Sequence, residues 1–177
     1  DAKRHSGGDL SQNLSINDPH IIVTRNLEAI YDVATTINAF SIIKKEFPNA
    51  QLSIAGTGPE LHSLQKQVIK LKLADSVTFT GRLSPQEMAA FYQNADVMLN
   101  ASTVDNTPNS IIESLACGTP VVTTNAGGIS KLVTNKHDAL LVEIGDIENM
   151  AASAITLLKD NKLRKLLIEN GLETISK

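Results

Sequence analysis

Two carboxylates with seven residues between them, Asp105 and Glu113, bracket the stretch of this chain best suited to holding an anion. Between them Thr107 suits an N-cap and Pro108 the first helical position. The helix that follows carries Ile111, Ile112, Leu115 and Ala116 as an apolar stripe, which puts Glu113 on the opposite flank, the side of Asn109. The first N–H groups of a helix lack intrahelical acceptors. Those of Asn109, Ser110 and Ile111, aided by the helix dipole, are therefore expected to form an anion site. One acid in the loop and one on the helix flank that site, an arrangement suited to a phosphorylated ligand rich in hydroxyls. A plainer reading stands beside it: acidic residues are favoured near helix starts in any case. On that reading Asp105 only steadies the turn and Glu113 is a solvated helix residue.

Arg25, just after the first apolar run, offers a planar and permanently charged fork for a phosphate, or else pairs on the surface with Glu28. The turns Gly56-Thr57-Gly58 and Ala126-Gly127-Gly128 permit close backbone approach to a ligand, and equally serve as ordinary turn chemistry. The first of them has no third glycine at the spacing of the dinucleotide fingerprint, which argues against a nicotinamide cofactor. His5, His20, His62 and His137 are scattered without ligand spacing, so no metal site is expected. Cys117 stands alone, which excludes an intrachain disulfide and points to a reducing compartment.

The elements that would position these residues alternate along the chain. Apolar runs at residues 20–24, 51–55, 77–80, 96–100, 120–123 and 139–143 read as strands. Amphipathic stretches at 32–46, 60–72, after Ser84, after Pro108, at 146–159 and from 161 to about 174 read as helices. Val33, Ile37, Phe40 and Ile43 form the stripe of the first, and Ser84, Pro85 and Glu87 make a capping box for the third. Apolar strands separated by helices imply a doubly wound parallel α/β sheet, Rossmann-like, with ligands beyond the carboxyl ends of its strands. At 177 residues one such domain fits, expected over residues 19–177, with the polar residues 1–18 as a flexible leader or hinge remnant of a longer protein. The net charge of -3 argues against nucleic-acid binding, and no apolar run reaches the roughly 20 residues of a membrane span.

Six segments in order resemble the C-terminal domain of the group 1, or family 4, retaining glycosyltransferases, one half of a GT-B fold. They are TRNLEAIYD at 24–32, LSIAGTGPE at 52–60, VTFTGRLSPQEM at 77–88, ADVMLNAS at 95–102, DNTPNSIIESLACGTPVV at 105–122 and NAGGISKLV at 125–133. The resemblance spans residues 19–175. It implies transfer of a sugar from a nucleotide diphosphate (UDP- or GDP-linked) to an acceptor held by an N-terminal domain, with retention of configuration and with no cofactor or metal. It assigns Asp105 to the donor sugar, Glu113 to the ribose hydroxyls, and the backbone of Asn109 and Ser110 with the side chain of Arg25 to the diphosphate. The backbone of Gly81, Arg82 and Leu83 would hold the base, and Gly127 and Gly128 would belong to the same donor pocket. Three departures stand out: Asp105 replaces the family's first glutamate, Ile30 and Tyr31 stand where a second cationic residue, a lysine, is usual, and Lys131 follows the GG loop where a glutamate is usual.

The resemblance also implies a cytoplasmic enzyme, peripheral to the membrane where its other half carries that attachment, and a lone domain unable to transfer sugar. A non-catalytic domain descended from such an enzyme is the alternative, motivated by Asp105 and the missing lysine near Tyr31. A nucleotide-sugar epimerase of similar fold is disfavoured by the acid pair and its context.

Overall fold

The computed structural model describes residues 16–176. The leader expected over residues 1–18 lies, up to residue 15, outside the described residues; Ile16 packs against the core.

All six expected strands form, each within one residue of its expected ends: β1 (His20–Thr24), β2 (Gln51–Ala55), β3 (Val77–Gly81), β4 (Val97–Asn100), β5 (Val121–Thr124) and β6 (Leu140–Val142). They make one parallel sheet in the order β3-β2-β1-β4-β5-β6. Seven helices connect and cover it: α1 (Val33–Glu46), α2 (Leu61–Lys70), α3 (Pro85–Gln93), α4 (Asn109–Ala116), α5 (Ile129–Leu132), α6 (Ile147–Lys159) and α7 (Asn161–Ile175). The short α5 and a 3-10 turn at Ala29–Tyr31 carry too little periodicity to be expected from sequence.

Near-continuous apolar runs form these strands because both faces of the sheet are covered. Successive side chains point to opposite faces. Ile21, Val23, Val97 and Leu99 therefore join the core under α1 and α6, with Ile37, Phe40 and Leu157. Ile22, Met98 and Val121 join the opposite core under α3, α4 and α5, with Tyr92, Ile111 and Ile129. Side-chain caps fix several helix starts: Asp32, Asp146 and Asp160 accept from the N–H of Thr35, Asn149 and Leu163. The capping box of Ser84 and Glu87 closes as expected.

The strand order runs outward from β1 in one direction and from β4 in the other. Their following loops diverge, and a crevice opens at the carboxyl edge between them.

Candidate functional site

The crevice holds a cleft of about 230 Å³ whose walls include Arg25, Thr57, Arg82, Tyr92, Ser110 and Glu113. That volume is below the roughly 300–1,000 Å³ of a whole small-molecule site.

Arg25 enters the cleft from the end of β1. Its backbone is set by the Gly56-Thr57-Gly58 turn: a Cβ on Gly56 (φ +143) would lie 1.9 Å from the Arg25 carbonyl oxygen, and one on Gly58 2.4 Å from that of Leu27. The glycines thus permit close approach of backbone to backbone. The guanidinium then crosses the switch point, where its Nε donates to Asn100 Oδ1 at 3.0 Å and its Nη2 to Asp105 Oδ2. Its plane lies over the Tyr31 ring, 4.9 Å from the centroid. The alternative of a surface pair with Glu28 is therefore replaced by a pair with Asp105, 80 residues away, with side-chain exposures of 11 % and 5 %. Burial lowers the Arg25 pKa, while Tyr31, Tyr92 and Glu113 push it back up. Nη1 has no hydrogen-bond partner among the described residues and is open to an anion.

Asn100 holds that geometry. It is buried, its Oδ1 accepts from Arg25 and from Ser102 Oγ (2.8 Å), and its Nδ2 donates to Thr123 Oγ1 (2.9 Å). The ends of β1, β4 and β5 are tied through one amide.

Asp105 lies behind Arg25 and not on the cleft wall. The Gly127-Gly128 turn packs on its backbone: Gly128 N–H donates to the Asp105 carbonyl at 2.7 Å, and a Cβ on Gly127 (φ +53) would lie 2.7 Å from that oxygen. Like the first glycine turn, this one supports a loop of the protein.

The start of α4 differs from expectation. Pro108 takes the cap position with ψ 65, outside helical values, and no side chain caps the helix. Its carbonyl accepts from Ile111 (2.9 Å) and Ile112 (3.2 Å), and Asn109 N–H donates to Thr107 O (2.8 Å). Of the three N–H groups expected to be free, those of Asn109 and Ile111 are therefore engaged. Ser110 N–H alone has no backbone acceptor among the described residues. The apolar stripe is also narrower than expected: Ile111 and Leu115 are buried, whereas Ile112 and Ala116 are exposed. Ser110 faces the cleft, and its Oγ is buried without a hydrogen-bond partner among the described residues.

Glu113, one turn further along α4, lines the cleft and accepts from the Tyr92 hydroxyl at 2.9 Å. Tyr92 OH also meets Thr24 Oγ1 at 3.0 Å, and burial pushes its pKa well up. Of the segment after β3, Arg82 and Leu83 line the cleft. Gly81 (φ +72) accepts from Gly56 N–H at 2.9 Å and stands outside the walls, as do Asn109, Ile111, Gly127 and Gly128.

Sequence reasoning missed Thr24, Tyr31, Tyr92 and Asn100. Asn100 has a faint signal, a polar residue closing an apolar strand; a tyrosine hydroxyl that must find a partner when buried is the signal for Tyr92. Among the described residues no group of three or more His, Cys, Asp or Glu comes together, and no helix is long and apolar enough to cross a membrane.

The family model described as glycosyl transferases group 1 matches residues 10–174. N-acetyl-alpha-D-glucosaminyl L-malate synthase of Bacillus anthracis is 31 % identical over 156 residues, 88 % of this chain and 39 % of that protein. The C-terminal domain of the group 1 glycosyl transferase LpcC from Francisella tularensis superposes with a TM-score of 0.82 at 21 % identity, covering 89 % of this chain and 84 % of that one. HepE of Anabaena, solved in complex with UDP-glucose, superposes with a TM-score of 0.81 at 24 % identity, covering 90 % of this chain and 44 % of that one. The chain spans well under half the length of the curated relatives it matches.

Proposed function

Because the chain belongs to the group 1 glycosyltransferases, we propose that it is the half of such an enzyme that binds the nucleotide-diphosphate sugar, for retaining transfer to an acceptor held by an N-terminal half. The observation that carries this reading is Ser110, whose hydroxyl is buried, unpartnered among the described residues and turned into a cleft beside Arg25. A buried hydroxyl without a partner costs about 1–3 kcal/mol. A phosphate oxygen at the start of α4 supplies the missing acceptor and meets the open Ser110 N–H at the same time.

The donor is then held in parts. Arg25, through Nη1, and Ser110 receive the diphosphate, and both strengthen as negative charge gathers on it when the glycosidic bond breaks. Glu113 accepts from the ribose, and the segment Gly81 to Leu83 lies against the base. The crystal complex of HepE with UDP-glucose supports a UDP-linked donor, with GDP as the second candidate. Asp105, tied to Arg25, is the acid of the pair assigned to the donor sugar. The reading calls for no cofactor beyond the donor and carries a cytoplasmic location, with any membrane attachment left to the acceptor-binding half.

Ser110→Ala tests it, because one substitution moves two quantities in opposite directions. The variant is expected to match or exceed the parent in resistance to urea, having lost a buried unsatisfied group, while binding UDP or GDP about tenfold more weakly. Unchanged nucleotide affinity would remove Ser110 from the phosphate site. The half-site has a second consequence. With radiolabelled UDP-sugars and a panel of sugar and lipid acceptors, the 177-residue chain alone is expected to give no transfer product; measurable turnover would refute the division into two halves.

A further inference from the structure

We propose that Tyr92 is a positioning residue, its hydroxyl fixing the Glu113 carboxylate to receive the two ribose hydroxyls of the donor. This rests on the reading of Glu113 given above.

The proton arrangement is set by inventory. A phenol has one proton, and a carboxylate can only accept. Tyr92 therefore donates to Glu113 Oε2 (2.9 Å), and its oxygen is left to accept from Thr24 Oγ1 (3.0 Å). These hydrogen bonds run from the end of β1, through α3, to α4, and all three residues line the cleft. Tyr92 is 1 % exposed and packed in the core with Ile22, Met98 and Ile111. Its backbone carbonyl is pinned by Thr119 Oγ1 at 2.7 Å. The phenol ring cannot swing, and its burial keeps the hydroxyl protonated.

Glu113 is different. It is an exposed residue of α4 on the cleft wall, and a free glutamate there would sample many rotamers. The hydrogen bond from a rigid buried donor holds it in one. Oε1 has no partner among the described residues and remains for the ligand. The ordering of a flexible side chain is then already present before the donor arrives, which is what preorganisation supplies.

The test compares two ligands on four proteins: the parent chain, Tyr92→Phe, Glu113→Ala and the double variant. The ligands are whichever of UDP and GDP the parent binds more tightly, and its 2′,3′-dideoxy analogue. Phenylalanine keeps the ring in the core, and Glu113 is on the surface, so all four are expected to fold; far-ultraviolet dichroism checks this. Tyr92→Phe should weaken the ribonucleotide by about tenfold, since the hydrogen bond lost is to a charged group. It should change the dideoxy analogue by less than about twofold, and on the Glu113→Ala background add less than about twofold for either ligand. An equal loss for both ligands, or no loss for the ribonucleotide, would assign Tyr92 a merely structural role and overturn the proposal. If the parent binds the two ligands alike, Glu113 does not read the ribose and the proposal falls with it. If the parent binds neither UDP nor GDP, the donor-site reading itself has failed.

Discussion

Arg25→Met is expected to lower the stability of the ligand-free chain by about 3 kcal/mol and to abolish nucleotide-diphosphate binding. Stability falls because Asp105, 5 % exposed at its side chain, loses its counter-ion, and Asn100 Oδ1 loses a donor. Removing one partner of a buried pair costs roughly 3–5 kcal/mol. The lower end applies because Arg25 is 11 % exposed and faces a solvated cleft. Binding falls because Arg25 supplies the charged fork beside Ser110 and neither Ile30 nor Tyr31 adds a cation near it, which leaves the cleft with Arg82 alone among the described residues. Arg25→Lys should be intermediate: it keeps the charge but cannot serve Asn100, Asp105 and a phosphate at once from one ammonium. Urea denaturation checks the stability, and Asp105→Asn on the Arg25→Met background should restore part of it, since the orphaned charge is then gone. A loss below about 1 kcal/mol, typical of surface pairs, would mean that Arg25 and Asp105 do not form a buried pair.

Gly56→Ala is the second large effect. Gly56 has φ +143, and a Cβ there would sit 1.9 Å from the carbonyl oxygen of Arg25. The strained backbone costs about 1–3 kcal/mol by itself. Relief of the overlap then requires the Arg25 segment to move, because the obstruction is backbone and not the end of a flexible side chain. A total near 3 kcal/mol or above would lower Tm by roughly 6–12 °C for a domain of this size. Displacing the root of Arg25 should weaken UDP or GDP binding even at temperatures where the variant is folded. Gly81→Ala provides the contrast: φ is +72, but nothing lies within 4 Å of the added Cβ. Its cost should be confined to the left-handed conformation, about 1–2 kcal/mol. Equal melting shifts for the two variants would contradict the close approach at Gly56.

The frame of the domain was legible because its signals are local. Strands such as residues 20–24 and 51–55 are apolar runs closed by a change of composition, and the Ser84 capping box is complete within four residues. The helix start at Asn109 was placed one residue early because Pro108 fits both the cap and the first helical position; its ψ of 65 decides between them, and no residue type encodes that angle. The site was half legible. Asp105, Glu113 and Arg25 were singled out, but their pairing was not, since it depends on β1 and β4 being neighbours in the sheet. Arg25 meets a partner 80 residues away, and Tyr92 one 68 residues back and another 21 ahead. The two glycine turns carried the same ambiguity. The glycines announce a close approach, and only the folded chain identifies the approaching group as its own backbone at Arg25, Leu27, Asp105 and Asn106.

The pair Asp105 and Glu113 therefore divides its work. Glu113 is presented on the cleft wall with one oxygen held by Tyr92, while Asp105 is off the wall and paired with Arg25.

Calorimetric titration of the chain with UDP and with GDP, repeated with Arg25→Lys and Ser110→Ala, tests the donor-half assignment most directly. The assignment predicts saturable binding of at least one diphosphate to a single site, weakened in both variants while each remains folded. A folded parent chain that binds neither nucleotide at millimolar concentration would contradict it, and would identify the domain as a non-catalytic descendant that keeps the fold without the site.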